Sequence, residues 1–136
     1  MIYEATITTT VVDDKGNDRS LKRQFILENF ETFSEVEQKL YDEFGLEAGF
    51  EVSAIKISRL KEIANTRDTD DDNIYVAELQ DSFTDDNGVE KTIKYKIAFY
   101  SKTFDTAKLF ISQYAKQGYN LELVGLKLTK VKDVLS

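Results

Sequence analysis

Cysteine, histidine, proline and tryptophan are all missing from this 136-residue chain, and the single methionine is Met1. Without Cys there is no disulfide, no thiol nucleophile and no thiolate metal ligand. Without His there is no Ser-His-Asp triad, no imidazole acid–base pair and no Cys/His zinc site. An enzyme built from this chain would have to work with carboxylates, Lys, Tyr, Ser or Thr, so the expectation is a protein that is not an enzyme. No apolar run approaches the roughly 18–20 residues of a membrane span. The first residues, MIYEATITTT, lack the basic start and apolar centre of a signal peptide. A soluble intracellular protein is expected, with no membrane role.

What is present suits one domain or two very small ones. With 41% hydrophobic residues, the chain can fill a core without staples. The net charge of −7 is unevenly spread. Residues 1–65 hold 8 basic and 13 acidic residues, residues 66–72 hold one Arg and four Asp, and residues 73–136 hold 9 Lys and 8 acids. A uniformly basic nucleic-acid binder is not expected, because phosphate neutralisation needs clustered cations. A local basic face in the second half survives that objection. The acidic first half suits a basic protein partner or simply favours solubility.

The chain repeats itself. Residues Ile2–Ile7 (IYEATI) match Ile74–Leu79 (IYVAEL), and Asp13-Asp14-Lys15-Gly16 matches Asp85-Asp86-Asn87-Gly88, both at an offset of 72. Thr32-Phe33-Ser34 meets Thr103-Phe104-Asp105 at an offset of 71. The ends agree best, Ile55–Ile63 (IKISRLKEI) against Leu126–Val134 (LKLTKVKDV), with chemical type kept at every position.

Each copy reads as strand, strand, helix, strand. The first strand alternates, with Tyr3, Ala5 and Ile7 (Tyr75, Ala77 and Leu79) on one face. A turn follows at Asp13–Asn17 or Asp85–Gly88, where Asx and Gly tolerate positive φ. The second strand points Leu21, Phe25 and Leu27 inward, matched by Ile93, Tyr95, Ile97 and Phe99; Arg23, opposite Tyr95, is the misfit. Thr32 caps a helix with Glu35 at the third position, a reciprocal capping box, and Thr103 repeats the cap without the Glu. Val36, Leu40 and Phe44 form one helical stripe, and Ala107, Ile111 and Ala115 the other. Gly45 and Gly49, or Gly118, end the helices. The last strand runs from about Phe50 to Arg59, and from about Tyr119 to Lys130. Its parity breaks between Ala54 and Ile55 and between Leu123 and Leu126, which predicts a β-bulge in both copies.

The expected architecture is therefore α+β, a tandem ββαβ repeat with antiparallel sheet and one helix per copy on one face. Residues 1–65 are the first repeat, 66–72 an acidic linker and 73–136 the second repeat. Each copy alone is near the lower size limit of an independent fold, so the two are expected to share a core. Strand order stays open.

The aromatic first strands (Ile2-Tyr3, Ile74-Tyr75), the helix start Thr32–Glu37, and Gly49–Val52 running into Ile55-Lys56 carry a resemblance. Lys61-Glu62-Ile63 and Lys132-Asp133-Val134 complete it, over nearly the whole chain. The sequence resembles an uncharacterised domain family of unknown function found in phages of Bacteroidota, including crAss-like phages, and in related bacterial genomes. The resemblance implies a phage or prophage origin, hence the host cytoplasm as location, and carries no established activity.

Candidate sites are few. Asp68–Asp72 fails as a calcium loop, because the positions that need Gly and Glu hold Asn73 and Leu79. Asp13/Asp14 and Asp85/Asp86 are expected in turns and lack a third ligand, so no metal and no cofactor are assigned. There is no phosphate-binding glycine loop. A basic constellation is the clearest pattern: Lys91, Lys94 and Lys96 on the strand face opposite the apolar one, Tyr100 in the same parity, and Lys127, Lys130 and Lys132 on or after the last strand. Lys94, Lys96, Tyr100, Lys127 and Lys130 could hold a nucleic acid or nucleotide by phosphate contacts and stacking. Lysines on exposed strands equally guard edges against aggregation. Phe30, Tyr41, Phe83 and Tyr119 have no secure inward place; they mark a protein interface or seal the junction between repeats.

The leading expectation is a small binding protein of phage type, acting through a surface on a host or phage protein as a host or defence inhibitor or an assembly factor. Its acidic face would include Glu35, Glu37, Asp42 and Glu43. Nucleic-acid binding by the Lys/Tyr face is the alternative. Tandem repeats often assemble further, so a homo-oligomer is also considered.

Overall fold

Alternating apolar residues and Asx-Gly turns produce two long antiparallel hairpins. In the computed structural model, which describes residues 1–117 and 121–136, β1 (Ile2–Val12) pairs with β2 (Asp18–Glu28), and β5 (Asn73–Thr84) pairs with β6 (Glu90–Ser101). Asp13 closes the first turn: its Oδ1 accepts from the N–H groups of Lys15 and Asn17, and Gly16 takes φ +77°. Asp85 does the same for Asn87 and Val89, with Gly88 at φ +76°. Asx side chains fold such turns by replacing a backbone acceptor, and glycine alone enters the left-handed region without cost.

A helix crosses each hairpin: α1 (Phe33–Phe44) in the first copy, α2 (Phe104–Ala115) in the second. Thr32 Oγ1 accepts the Glu35 N–H as expected, but the Glu35 carboxylate accepts from Glu31 N–H. The reciprocal box forms instead in α2. There Thr103 Oγ1 accepts from Thr106 N–H while Thr106 Oγ1 accepts from Thr103 N–H. A threonine hydroxyl at the third position does the work expected of a glutamate.

The third strands, β3 (Glu51–Ile57) and β7 (Glu122–Leu128), pair antiparallel with β1 and β5. Thr6 lies opposite Ala54 and Ile7 opposite Val52, so Ser53 is the extra residue of a bulge. Val124 is its counterpart, because Glu78 faces Gly125 and Leu79 faces Leu123. The expected parity break is real in both copies, one residue earlier than placed in the first. Gly118 and the strand start at Tyr119 lie outside the described residues.

The best-matching segment of the repeat divides into two strands. After Ser58 the chain leaves the first sheet, and β4 (Leu60–Ile63) pairs parallel with β6, Leu60 opposite Lys96 and Ile63 opposite Ala98. After Thr129, β8 (Val131–Leu135) pairs parallel with β2, Val131 opposite Gln24 and Val134 opposite Ile26. The registers are equivalent, and Lys61 and Lys132 are the skipped residues in both. The result is two four-stranded sheets, β3-β1-β2-β8 and β4-β6-β5-β7. The chain falls into two compact units, one of Met1–Ser58 with Lys130–Ser136 and the other of Arg59–Thr129. Each unit takes its fourth strand from the other repeat.

In the first unit, Tyr3, Ala5, Ile7, Phe25 and Leu27 from the sheet meet Val36 and Leu40 from α1, with Phe44, Val52, Ile55 and Leu135 packed around them. In the second, Tyr75, Ala77, Leu79, Ile97 and Phe99 meet Ala107, Ile111 and Ala115. Each fully buried Leu, Ile or Phe contributes about 1.5–3 kcal/mol relative to exposure. Arg23, the misfit, lies over the Phe44 ring at 5.1 Å and donates from Nη2 to Glu47 Oε2 at 2.7 Å. Its counterpart Tyr95 carries the Lys61 ammonium over its ring at 3.8 Å. A cation on an aromatic ring recurs at this level with different residues. Among the described residues, no helix is long and apolar enough to cross a membrane.

Candidate functional site

The strand parity of β5, β6 and β7 decides which lysines meet. Across the sheet face away from α2, Gln80 lies between Lys94 and Glu122, Glu78 between Lys96 and Gly125, and Val76 between Ala98 and Lys127. Lys94, Lys96 and Lys127 therefore share one face, and all three are exposed. Lys91 does not join them. It stands in the opposite parity and reaches Asp85 at 3.5 Å.

Glu78 sits in the middle of the lysine face, and its Oε1 lies 3.8 Å from Lys94 Nζ. Tyr100 shares the parity but is only 6% exposed. The Arg67 guanidinium covers its ring at 4.8 Å, and the Asn65 side chain brackets its backbone, accepting from Tyr100 N–H and donating to Tyr100 O. A ring held this way offers no face for a base. Lys130 belongs to the other compact unit. The structure thus brings together three of the five residues expected of a nucleic-acid face, and removes the stacking platform.

The strap that covers Tyr100 is the segment expected as an acidic linker. Its geometry is set by Asp72, whose carboxylate accepts from the backbone N–H of Asp68 at 2.8 Å and of Thr69 at 3.2 Å. Arg67 Nη1 donates to Asp72 O. The Asp68 N–H, helped by Thr69 and by the nearby Lys102 charge, holds the Asp72 carboxyl below its usual range, against a smaller opposing effect of burial. At the first hairpin turn the Asn17 N–H, then Arg19, lower Asp13 likewise.

On α1, Glu35, Glu37, Asp42 and Glu43 are all exposed. Three are already engaged within the chain. Glu35 caps the helix start, Asp42 accepts from Gln38 Nε2 at 2.8 Å, and Glu43 pairs with Lys39 at 2.9 Å. Lys39 sits four residues before Glu43 and offsets part of the helix's charge.

The hairpins carry a feature the sequence reading missed. A 12-residue helix spans about 18 Å, whereas an 11-residue strand spans about 36 Å. The helix therefore covers only part of each hairpin, and β3 pairs with β1 no further than Thr8. Past that point the α1–β3 connection still holds Thr10, whose N–H donates to Ala48 O, and further out the tip continues, among the described residues, as a two-stranded arm. Leu21 and Ile93, expected inward, lie on these arms and are 40% and 41% exposed. Val11, Val12, Phe83 and Val89 are exposed beside them. The same apolar strip occurs in both copies: Val11 and Leu21 on one arm, Phe83 and Ile93 on the other. Strand length set against helix length was the available signal. Of the unplaced aromatics, Phe30 packs on the first core, Tyr41 is exposed against Phe50, Phe83 is on its arm, and Tyr119 lies outside the described residues.

No curated protein and no solved structure matches the chain. One family model does match, and it spans residues 1–136 from the first strand to the last. The chain belongs to that family, a domain of unknown function (DUF4494).

Proposed function

We propose that this is a small non-enzymatic binding protein that docks on a host or phage protein through its two hairpin arms. The observation that carries this reading is the repeated arm: in both copies an apolar pair, Val11 with Leu21 and Phe83 with Ile93, stands exposed beyond the helix. Apolar side chains on a two-stranded ribbon contribute little to the fold that bears them, and their burial against a partner releases water from both surfaces. A basic residue flanks each pair, Arg19 tied to Asp13 and Lys91 to Asp85, which gives the strip a polar rim. The sequence resemblance implies a phage or prophage origin, and with it a role in inhibiting a host or defence factor, or in assembly. The lysine face of the second unit supports nucleic-acid binding less well, because Glu78 neutralises Lys94 and Tyr100 is covered.

The test is tagged capture from infected cells with three proteins: wild type, Val11→Glu/Leu21→Glu/Phe83→Glu/Ile93→Glu, and Lys94→Glu/Lys96→Glu. The reading expects a stoichiometric protein with wild type and with the lysine variant, lost in the arm variant while the circular dichroism spectrum is kept. Recovery of nucleic acid that disappears only with the lysine variant would replace it with the alternative.

A further inference from the structure

The outer edges of the two sheets are built alike. β3 reads Glu-Val-Ser-Ala-Ile-Lys-Ile and β7 reads Glu-Leu-Val-Gly-Leu-Lys-Leu, each with a bulge at its third residue. The pattern is self-complementary in charge. Reversed and laid against itself about its centre, the segment sets the first residue opposite the sixth, which is Glu opposite Lys twice, and the second opposite the fifth, which is apolar opposite apolar twice.

In a regular strand this pairing fails, because residues five apart point to opposite faces. The bulge removes the conflict. Glu122 and Lys127 face Gln80 and Val76 of β5, both on the side away from α2, whereas Leu123 and Leu126 face Leu79 and Ala77, both on the helix side. The inward and outward alternation of backbone groups follows the same β5 numbering, so it too is symmetric about the centre. A bulge commonly spoils an edge for pairing. Here it makes the edge fit a copy of itself.

The two edges differ in what their charges already meet. Lys56 of β3 lies directly across from Glu4 of its own sheet, and Ser53 is hydrogen-bonded to Thr8 at 2.6 Å. Lys127 of β7 lies directly across from Val76, and Glu122 from Gln80, so neither faces an opposite charge directly on the neighbouring strand. Val124 is 44% exposed and Leu128 57% exposed on the same strand.

We propose that β7 is a self-recognition edge, at which two copies of this chain join antiparallel about a twofold axis between Val124 and Gly125, each Glu122 opposite the other copy's Lys127. The backbone ladder and the Leu123–Leu126 contacts would supply the attraction, and the two charge pairs fix the register. This surface is separate from the hairpin arms and does not rest on their role.

The experiment is sedimentation equilibrium of the full chain up to about 1 mM, with Glu122→Lys, Lys127→Glu and the double variant. Wild type is expected to dimerise with a concentration-dependent mass. Each single variant, which places like charges opposite one another twice, lowers the association constant by about tenfold or more. The double variant regains wild-type association. Mixing the two single variants restores both opposite-charge pairs and yields a heterodimer that neither forms alone. A wild type that stays monomeric, single variants that associate like wild type, or a mixture that stays monomeric each overturns the proposal. Loss of the dimer with Glu51→Lys or Lys56→Glu, and not with the β7 variants, overturns it in favour of β3.

Discussion

Removing residues 130–136 cuts the chain next to the second unit, yet the damage is expected in the first. β8 lies against β2 through the pairs Gln24–Val131, Phe25–Asp133, Ile26–Val134 and Leu27–Leu135, and Leu135 packs on the first core. A ladder of this length contributes about 3–4 kcal/mol at roughly 1 kcal/mol net per hydrogen bond. The half-buried leucine adds about 1 kcal/mol. The regained freedom of the released strand offsets part of this, leaving about 2–4 kcal/mol. Amides at Phe25–Leu27 should then exchange about 30- to 700-fold faster, as 1.4 kcal/mol is tenfold. Hydrogen exchange with mass spectrometry on the truncated chain measures it, and Leu135→Ala supplies a milder version that keeps the strand. Ile63→Ala in β4 is the mirror experiment and should loosen Ile97–Phe99 of β6 while sparing β2. Faster exchange in β5 and β6 after the truncation, with β2 unchanged, would refute the strand exchange.

Two further predictions concern single sites. Gly49 holds φ +66°, and an added Cβ would collide with Thr10 Oγ1, whereas Gly16 at φ +77° has open space around it. Gly16→Ala should cost about 1 kcal/mol of strain and Gly49→Ala clearly more, about 2–4 kcal/mol, by urea denaturation; equal costs would contradict the close approach. Asp13 and Asp72 have carboxyls lowered below 3.8 in the folded chain. A lowered pKa means the unfolded chain binds protons first, so the stability these groups add is complete well above pH 3.8 and lost as pH falls through their folded values. The double variant Asp13→Asn/Asp72→Asn should be less stable than wild type at pH 7 and converge with it near pH 2. A gap that stays constant with pH would remove both groups from the acid response.

Much of the fold was legible. Tyr3, Ala5 and Ile7 and their counterparts are buried as their alternation requires, the two Asx-Gly turns close as expected, and both helices start after the threonines that cap them. Parity located the bulges to within a residue. The exchange was not legible, because the pairing of a four-residue strand is decided by which sheet edge is free in space. The matched chemistry of Ile55–Ile63 and Leu126–Val134 marks the two segments as equivalent, which does not say which sheet edge each one joins. Tyr100 illustrates a second limit. Its parity placed it beside Lys94 and Lys96, correctly, but whether a strand residue is exposed depends on what crosses over it, and Arg67 is 33 residues away in sequence. The arms were missed for a simpler reason: Leu21 and Ile93 continue the inward alternation past the point where the helix ends.

The exchange also sets an order of events during synthesis. The first unit takes Met1–Ser58, which are made before the second unit, but its sheet lacks an outer strand until Val131–Leu135 have left the ribosome. Until then β2 presents an open, apolar edge to every nascent chain nearby. The second unit needs nothing beyond Thr129. The unit begun first is therefore completed after the unit that follows it, and slow translation through Val131–Leu135 would prolong the interval in which that edge is bare.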